Sequence, residues 1–400
     1  MPNNISIDSQ LIDEFRNRVN KHAIFRQKFS NVNGRNKWNI ICSAMDWITI
    51  TSEGLPNIYL AEGVFGVNAN NALNLMQYII SIDVMVESVD QLFRVLDNGK
   101  VNPLSKDKTI FNHNKISDDE YFKHLRASFS THPVNLKSLD GVKNEGEPWE
   151  RFYASWVSAG GLNINDVSDY YDYYVLLYSN DPSKDLKTLQ LGLKIDQINE
   201  YAVSRYELLH LLIDKVDDII NNHIDKYKNS TIQSVENNLE QLNILQVENE
   251  NRFGKNQGYS GTISYLQCLI NLDIDKYEVD EFFLNIFKEY KLNLTKSIDK
   301  IKNGLEMMKE RECYIKYYWR GYEFQKIYDY INNGDKLIHT IGFEYLEGLV
   351  RHKKLPEIIL NTNDLLFVRL ILDSYLYHLA VTRGMDSIPL NEIVPIVYPK

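Results

Sequence analysis

Through most of the chain apolar residues recur three and four positions apart, the spacing that lays them along one face of a helix, so the pattern predicts a mainly α protein. The first helix is expected from about Asp8 to Phe29, stopped by Ser30-Asn31-Val32-Asn33-Gly34, where Asn and Gly supply turn conformations. A second is expected over about Asn36 to Ser52 and ended by Gly54-Leu55-Pro56. The third and longest spans about Asn70 to Leu96 and closes at Asn98-Gly99. Lys100 to Lys115, with Pro103 and several lysines, reads as an exposed loop. Ser117-x-x-Glu120 is a capping box, so a fourth helix should start there and run to about Ser130. These four helices predict a bundle.

Beyond the bundle, Trp149 to Ala159 reads as a short amphipathic helix with Trp149, Phe152 and Trp156 on one side. Tyr173 to Tyr178 and Leu186 to Leu193 flank Asn180-Asp181-Pro182-Ser183, which predicts a β-hairpin or two irregular strands. Asp196 to Ile224 returns to strong helical spacing. Glu236 to Glu250 is polar and acidic, and Gly254 to Gly261 is rich in Gly, Asn and Gln. The expected organisation is therefore a helical bundle domain over 1–227 with a small hairpin insertion near 173–193, a polar linker over 228–260, and a second helical domain over 261–400. Helices of that last part are expected at about Thr262 to Asn271, Val279 to Lys309, Tyr322 to Ile331, Gly342 to His352 and Asp364 to Arg383.

Composition narrows the function classes. The chain has 400 residues, 44% of them hydrophobic, which is ample for real cores. A formal charge of −10 argues against coating nucleic acid through bulk positive charge, although it is compatible with a local basic groove. Cys42, Cys268 and Cys313 lie far apart without Cys-x-x-Cys spacing, as reduced cytosolic thiols would. Met1 to Gln10 lacks an apolar signal core. Leu365 to Val381 comes nearest to a membrane span but contains Arg369, Asp373 and His378. A cytoplasmic protein without membrane attachment is expected.

The chemistry of greatest interest lies in Tyr121-Phe122-Lys123-His124-Leu125-Arg126-Ala127-Ser128-Phe129-Ser130-Thr131-His132-Pro133-Val134-Asn135-Leu136, where a helix carrying Arg126 runs into Pro133 just after His132. A fixed guanidinium can neutralise charge developing on phosphate oxygens, and imidazole can move protons near neutral pH without a metal. On a continuous helix the two would stand about 240° apart, so Pro133 matters because it ends the helix and lets the imidazole swing back. Spacing alone does not single this pair out. Arg205 and His210 form a second match, placed mid-helix among Leu208, Leu209, Leu211 and Leu212, where a surface arginine and a satisfied histidine are the plainer reading.

Context favours the first pair, because a helix end, Ser128, Ser130, Thr131 and Asn135 suit a solvent-reachable anion site. On the third helix Asp83, Glu87, Asp90 and Arg94 form one polar stripe. It reads as a solvated face with an internal ion pair, or as a source of a carboxylate, such as Glu87, that orients Arg126. A third feature interleaves aromatics and cations at Tyr314, Lys316, Tyr317, Tyr318, Trp319, Arg320 and Tyr322. Lys316, Tyr318, Trp319 and Arg320 could stack unpaired bases and neutralise phosphates, or anchor a helix end in a core.

The order of a long acidic-dotted helix, an exposed loop and then Leu125-Arg126-Ala127-Ser128-Phe129-Ser130-Thr131-His132-Pro133 resembles the HEPN superfamily (higher eukaryotes and prokaryotes nucleotide-binding), whose helical bundles carry Arg, four to six residues, then His. The resemblance covers about residues 1–140, or on a wider reading 1–225, and differs from the common form at Ala127. It implies a metal-independent endoribonuclease, a toxin or anti-phage effector, with RNA as substrate, no cofactor and a homodimer that brings the Arg and His of two protomers to one cleft. Arg126 would bind the scissile phosphate, and His132 would act as general acid or base in attack by the ribose 2′-hydroxyl, with Asp83, Glu87 and Asn135 in support. The alternative is a non-catalytic helical interaction or regulatory protein with a degenerate site, and a regulatory partner or trigger acting through the C-terminal half fits either reading. P-loop, nicotinamide-binding, serine-hydrolase and His-Glu-x-x-His motifs are missing, and only Glu207-x-x-His210 matches half of a di-metal bundle motif.

Overall fold

The computed structural model describes residues 5–60, 69–142, 149–156, 171–181, 189–228, 230–309, 316, 318–335 and 337–394. The chain is mainly α with two small sheets, and it divides into two compact units, Met1–Asn221 and Asn222–Lys400.

In the first unit α1 (Gln10–Lys21) and α2 (Ala23–Ser30) replace the single helix expected there, because His22 leaves helical backbone at φ −124°, ψ 122°. α3 (Trp38–Gly54) packs along α4 (Ala69–Leu96), the spine of the unit. Leu75, Tyr78, Ile79, Ile82, Met85, Val89 and Leu92 recur at three- and four-residue steps along α4 and are fully buried. Each such side chain contributes about 1.5–3 kcal/mol of burial, which outweighs the modest helix propensity of β-branched residues. α5 (Asp118–Arg126) begins at the expected capping box, with Ser117 Oγ accepting from the Glu120 N–H and Glu120 accepting from the Ser117 N–H.

α5 does not continue to Ser130 as an α-helix. Ala127–Thr131 forms one π-helical turn, closed by the His132 N–H donating to Ala127 O at 3.0 Å. Two local causes are visible. Ser128 Oγ donates back to His124 O at 2.9 Å, competing for a helical carbonyl, and Pro133 has no N–H with which to carry the ladder on.

The segment expected as a helix around Trp149 is instead the strand β1 (Phe152–Trp156), paired antiparallel with β2 (Tyr173–Ser179), which pairs with β3 (Leu189–Leu193). Phe-Tyr-Ala-Ser-Trp alternates inward and outward, and aromatic residues suit a pleated, half-buried surface, so the pairing offered by the hairpin prevailed over the helical spacing. Tyr171 lies over Gly192, where a Cβ would stand 2.2 Å from its ring. α6 (Ile195–Tyr206) and α7 (Leu209–Lys228) are separate helices, broken by a turn at Glu207 and Leu208.

In the second unit, α8 (Asn238–Phe253) occupies the stretch expected to be a polar linker, and it packs on α9 (Ser260–Asn271). Its exposed side is polar enough to hide the helix in composition, yet Leu242, Leu245, Asn249 and Arg252 are buried, and Asn237 caps it by accepting from the Leu239 and Glu240 N–H groups. α10 (Glu281–Thr295) and α11 (Ser297–Glu306) divide the expected 279–309 helix at Lys296. β4 (Trp319–Arg320), α12 (Tyr322–Asn333), α13 (Thr340–Arg351), α14 (Ile358–Asn361), α15 (Leu365–Arg383) and β5 (Ile388–Pro389) complete the unit, with β4 and β5 parallel.

α15 packs on α10 and α12 and supplies the core. By length and composition it could cross a membrane, with mean hydropathy 1.4, and in this fold most of it is buried in protein. The charges that interrupt it are used internally: Tyr265 OH donates to Asp373 Oδ2 at 2.5 Å, Tyr328 OH donates to Oδ1, and Arg369 lies 3.7 Å from the same carboxylate.

Candidate functional site at the end of helix α5

Both ends of the segment carrying Arg126 are fixed. At its start, buried Asp118 accepts from the Ile110 and Phe111 N–H groups at 3.1 and 3.0 Å, which ties the preceding loop to the helix. Along its inner face Phe122 stacks on Tyr201, with ring centroids 4.4 Å apart, and Leu125 is buried. Arg126 follows at the last helical position.

Arg126 Nη1 donates to Asp83 Oδ2 on α4 at 2.6 Å, and the side chains keep 30% and 24% of their surface in solvent. A carboxylate of the acidic stripe does orient the guanidinium, but it is Asp83 rather than Glu87. Glu87 is exposed and accepts from Gln91 Nε2 at 2.7 Å and Arg94 Nη1 at 3.3 Å. Arg126 Nε is buried without an acceptor among the described residues, an unmet donor of the kind that costs about 1–3 kcal/mol.

His132 terminates the π turn and its side chain is exposed. Its backbone is held on both sides: its N–H closes the π turn, its carbonyl accepts the Asn135 N–H at 3.0 Å, Pro133 O accepts the Ala154 N–H at 2.6 Å, and Leu136 bridges to Phe152. The sheet edge thus anchors the residues after the imidazole while the ring reaches solvent. Asn135 is exposed and takes part through this backbone turn. A partly open guanidinium with one carboxylate partner thus sits on a helix end braced by α4 and β1, and an accessible imidazole follows it; the first is a group that binds anions and the second one that exchanges protons.

The second Arg/His pair does not form a site. Arg205 is in the last turn of α6 with 1% of its side chain exposed, paired with Asp119 at 3.0 Å, donating to Ser204 Oγ and Leu104 O, and stacked 4.4 Å from the Tyr201 ring. His210 is exposed in the first turn of α7. The expected single helix is broken between them, so Arg205 serves the core and His210 the surface.

The aromatic and cationic run in the second unit is likewise used for packing. Trp319 stacks on Tyr328 with centroids 5.1 Å apart, and Tyr318 sets its ring edge-on to Tyr377. Lys316 pairs with Asp386, and Arg320 with Glu392 at 3.7 Å. The Tyr318 and Trp319 rings pack against the core and both cations have carboxylates, so these four residues anchor the segment, while Tyr322 is exposed; Tyr314 and Tyr317 lie outside the described residues, as does Cys313.

Sequence reasoning passed over His124, two positions before Arg126. It is buried, its Nε2 donates to Leu139 O at 3.0 Å, and burial pushes its imidazole below the ordinary histidine range. Its flanking Phe122 and Leu125 were the available signal of an inward-facing, structural role. A lysine-rich cleft beside the first turn of α5 was also missed, because its residues are scattered from Asp90 to Lys123. No cluster of three or more His, Cys, Asp or Glu suited to a metal ion occurs among the described residues. Comparison with protein-family models, curated proteins and solved structures finds no match to this chain.

Proposed function

We propose that this chain is a metal-independent endoribonuclease of the HEPN kind, with Arg126 on the scissile phosphate and His132 as general acid or base. The ribose 2′-hydroxyl attacks phosphorus and loses its proton, while the 5′-oxygen leaves and gains one, giving a 2′,3′-cyclic phosphate and a 5′-hydroxyl. Arg126 compensates the charge that builds on the phosphate oxygens. The observation that carries this reading is the Asp83-held, partly open guanidinium of Arg126 followed, across a single π turn, by the exposed imidazole of His132.

The test is cleavage of single-stranded RNA by the purified full chain in the presence of a chelator, with the product ends identified. Arg126→Ala and His132→Ala are each expected to abolish cleavage while the thermal melt keeps its cooperative shape. Undiminished cleavage in both variants rejects the assignment.

One observation bears on partners. Ile40, Trp47 and Ile50 lie on one face of α3 and are exposed, Trp47 at 49%. That face supports the homodimer belonging to this reading, and it equally favours the second one, a non-catalytic helical interaction protein. Expression separates them: growth arrest relieved by His132→Ala supports the toxin or defence nuclease, whereas identical growth supports the interaction protein.

A further inference from the structure

After α4 the chain folds back over the first turn of α5 and encloses a cleft of about 500 Å³. Arg94 from α4, Lys106, Lys108 and Lys115 from the intervening loop, and Lys123 from α5 line it. Five cations on one cleft run against the chain's formal charge of −10. The four lysines are exposed, and no carboxylate among the described residues pairs with them; Lys108 Nζ reaches the Asn114 carbonyl at 3.4 Å.

Three acids share the cleft, and each is already engaged. Asp119 pairs with buried Arg205 and accepts from Tyr201 OH at 3.0 Å. Glu120 closes the capping box on Ser117. Asp90 accepts from the Asn102 side-chain amide, and burial pushes its carboxyl above the usual carboxylate range. Solvent therefore meets the unpaired ammonium groups. The loop bearing Lys106, Lys108 and Lys115 is held in place by Asp118 and by His113 Nδ1, which accepts from the Lys115 and Ile116 N–H groups at 3.3 and 3.2 Å. Little ordering is left for a ligand to supply.

We propose that this cleft binds the phosphate backbone of a single-stranded RNA and that Lys123, three positions before Arg126 on α5, leads the strand to the reaction site. The direction given to the strand rests on the ribonuclease reading above. Ammonium groups act on phosphates as point charges and do not read base edges, so the contact is independent of sequence.

The experiment measures binding of a short labelled single-stranded RNA by the full-length His132→Ala chain, with and without Lys106→Ala, Lys115→Ala and Lys123→Ala together, between about 50 and 200 mM salt. Each phosphate contact contributes about 0.7 to the slope of log affinity against log salt, so loss of three flattens it by about 2. Lys→Arg at the same positions should retain the slope. Cleavage is scored separately in chains that keep His132. An unchanged slope in the alanine variant overturns the cleft and leaves the nuclease reading standing. Lysine-dependent binding by a chain that cleaves nothing supports the cleft and defeats the nuclease. Displacement of the RNA by an equal phosphate concentration of a free mononucleotide assigns the cleft to a small phosphorylated ligand and overturns RNA as its occupant.

Discussion

Replacing Arg205 by alanine separates a structural guanidinium from a catalytic one. The side chain is 1% exposed and its partner Asp119 is 13% exposed, 3.0 Å away. Its removal leaves a nearly buried carboxylate with Tyr201 OH as its remaining described partner, while the Leu104 carbonyl keeps the Asp107 N–H. Breaking a buried pair from one side costs about 3–5 kcal/mol, because the surviving charge keeps its desolvation penalty and loses its compensation. For a unit of this size that corresponds to a melting point lower by about 6–20 °C, at roughly 2–4 °C per kcal/mol. Two units unfold in this chain, so the assay is denaturant-dependent hydrogen exchange read on α5 and α6, which isolates the first transition. Removing both charges, as Arg205→Met with Asp119→Leu, should recover most of the loss. A single variant within about 1 kcal/mol of wild type would refute the reasoning, and lost RNA cleavage at full stability would return Arg205 to the chemistry.

Three further outcomes are expected. Asp83→Asn should lower kcat by about 10–100-fold with a smaller change in KM, since it loosens the aim of Arg126 without removing its charge; an equal effect on both constants would point to binding instead. Asp373 has its carboxyl pushed up by burial, so the folded state holds that proton more tightly than the unfolded state. This group's contribution to stability is therefore unpenalised below the ordinary carboxylate range and declines as pH rises through the raised value; Asp373→Asn should flatten urea-midpoint profiles across that window, and profiles parallel to wild type would contradict it. Trp47→Asp should halve the mass seen by sedimentation if α3 joins two protomers, with the melting temperature unaltered.

Much of the fold was legible because burial follows helical spacing wherever one helix dominates its surroundings. α4 is the clearest instance: its buried positions repeat so regularly that both ends fall within a residue of expectation. Breaks were harder to read. His22, Glu207 and Lys296 interrupt periodic stretches with no Gly or Pro, and the tertiary packing on either side decides where the axis turns. α8 was concealed by a polar exterior, and β1 by aromatics whose spacing suits a helix as well as a strand.

Within the site, Arg126, His132 and Asp83 were visible as residue types suited to phosphate chemistry. The π turn was not, since its cause is a serine back-bond acting together with a proline several residues on. Nor was the choice of Asp83 over Glu87, which depends on the rotation of α4 against α5. The cleft could not be read at all from local windows, because it joins one helix end, a loop and another helix start.

The clasp at Asp118 has a consequence for how the two halves of the site communicate. It holds the loop carrying Lys106, Lys108 and Lys115 over the first turn of α5, so like charges gather on one side of that turn. Anions settling there should lessen this repulsion and steady the same nine-residue rod whose far end bears Arg126. On the proposed ribonuclease reading, a polymer long enough to touch both ends would firm up its own point of scission, whereas a fragment covering one end would not.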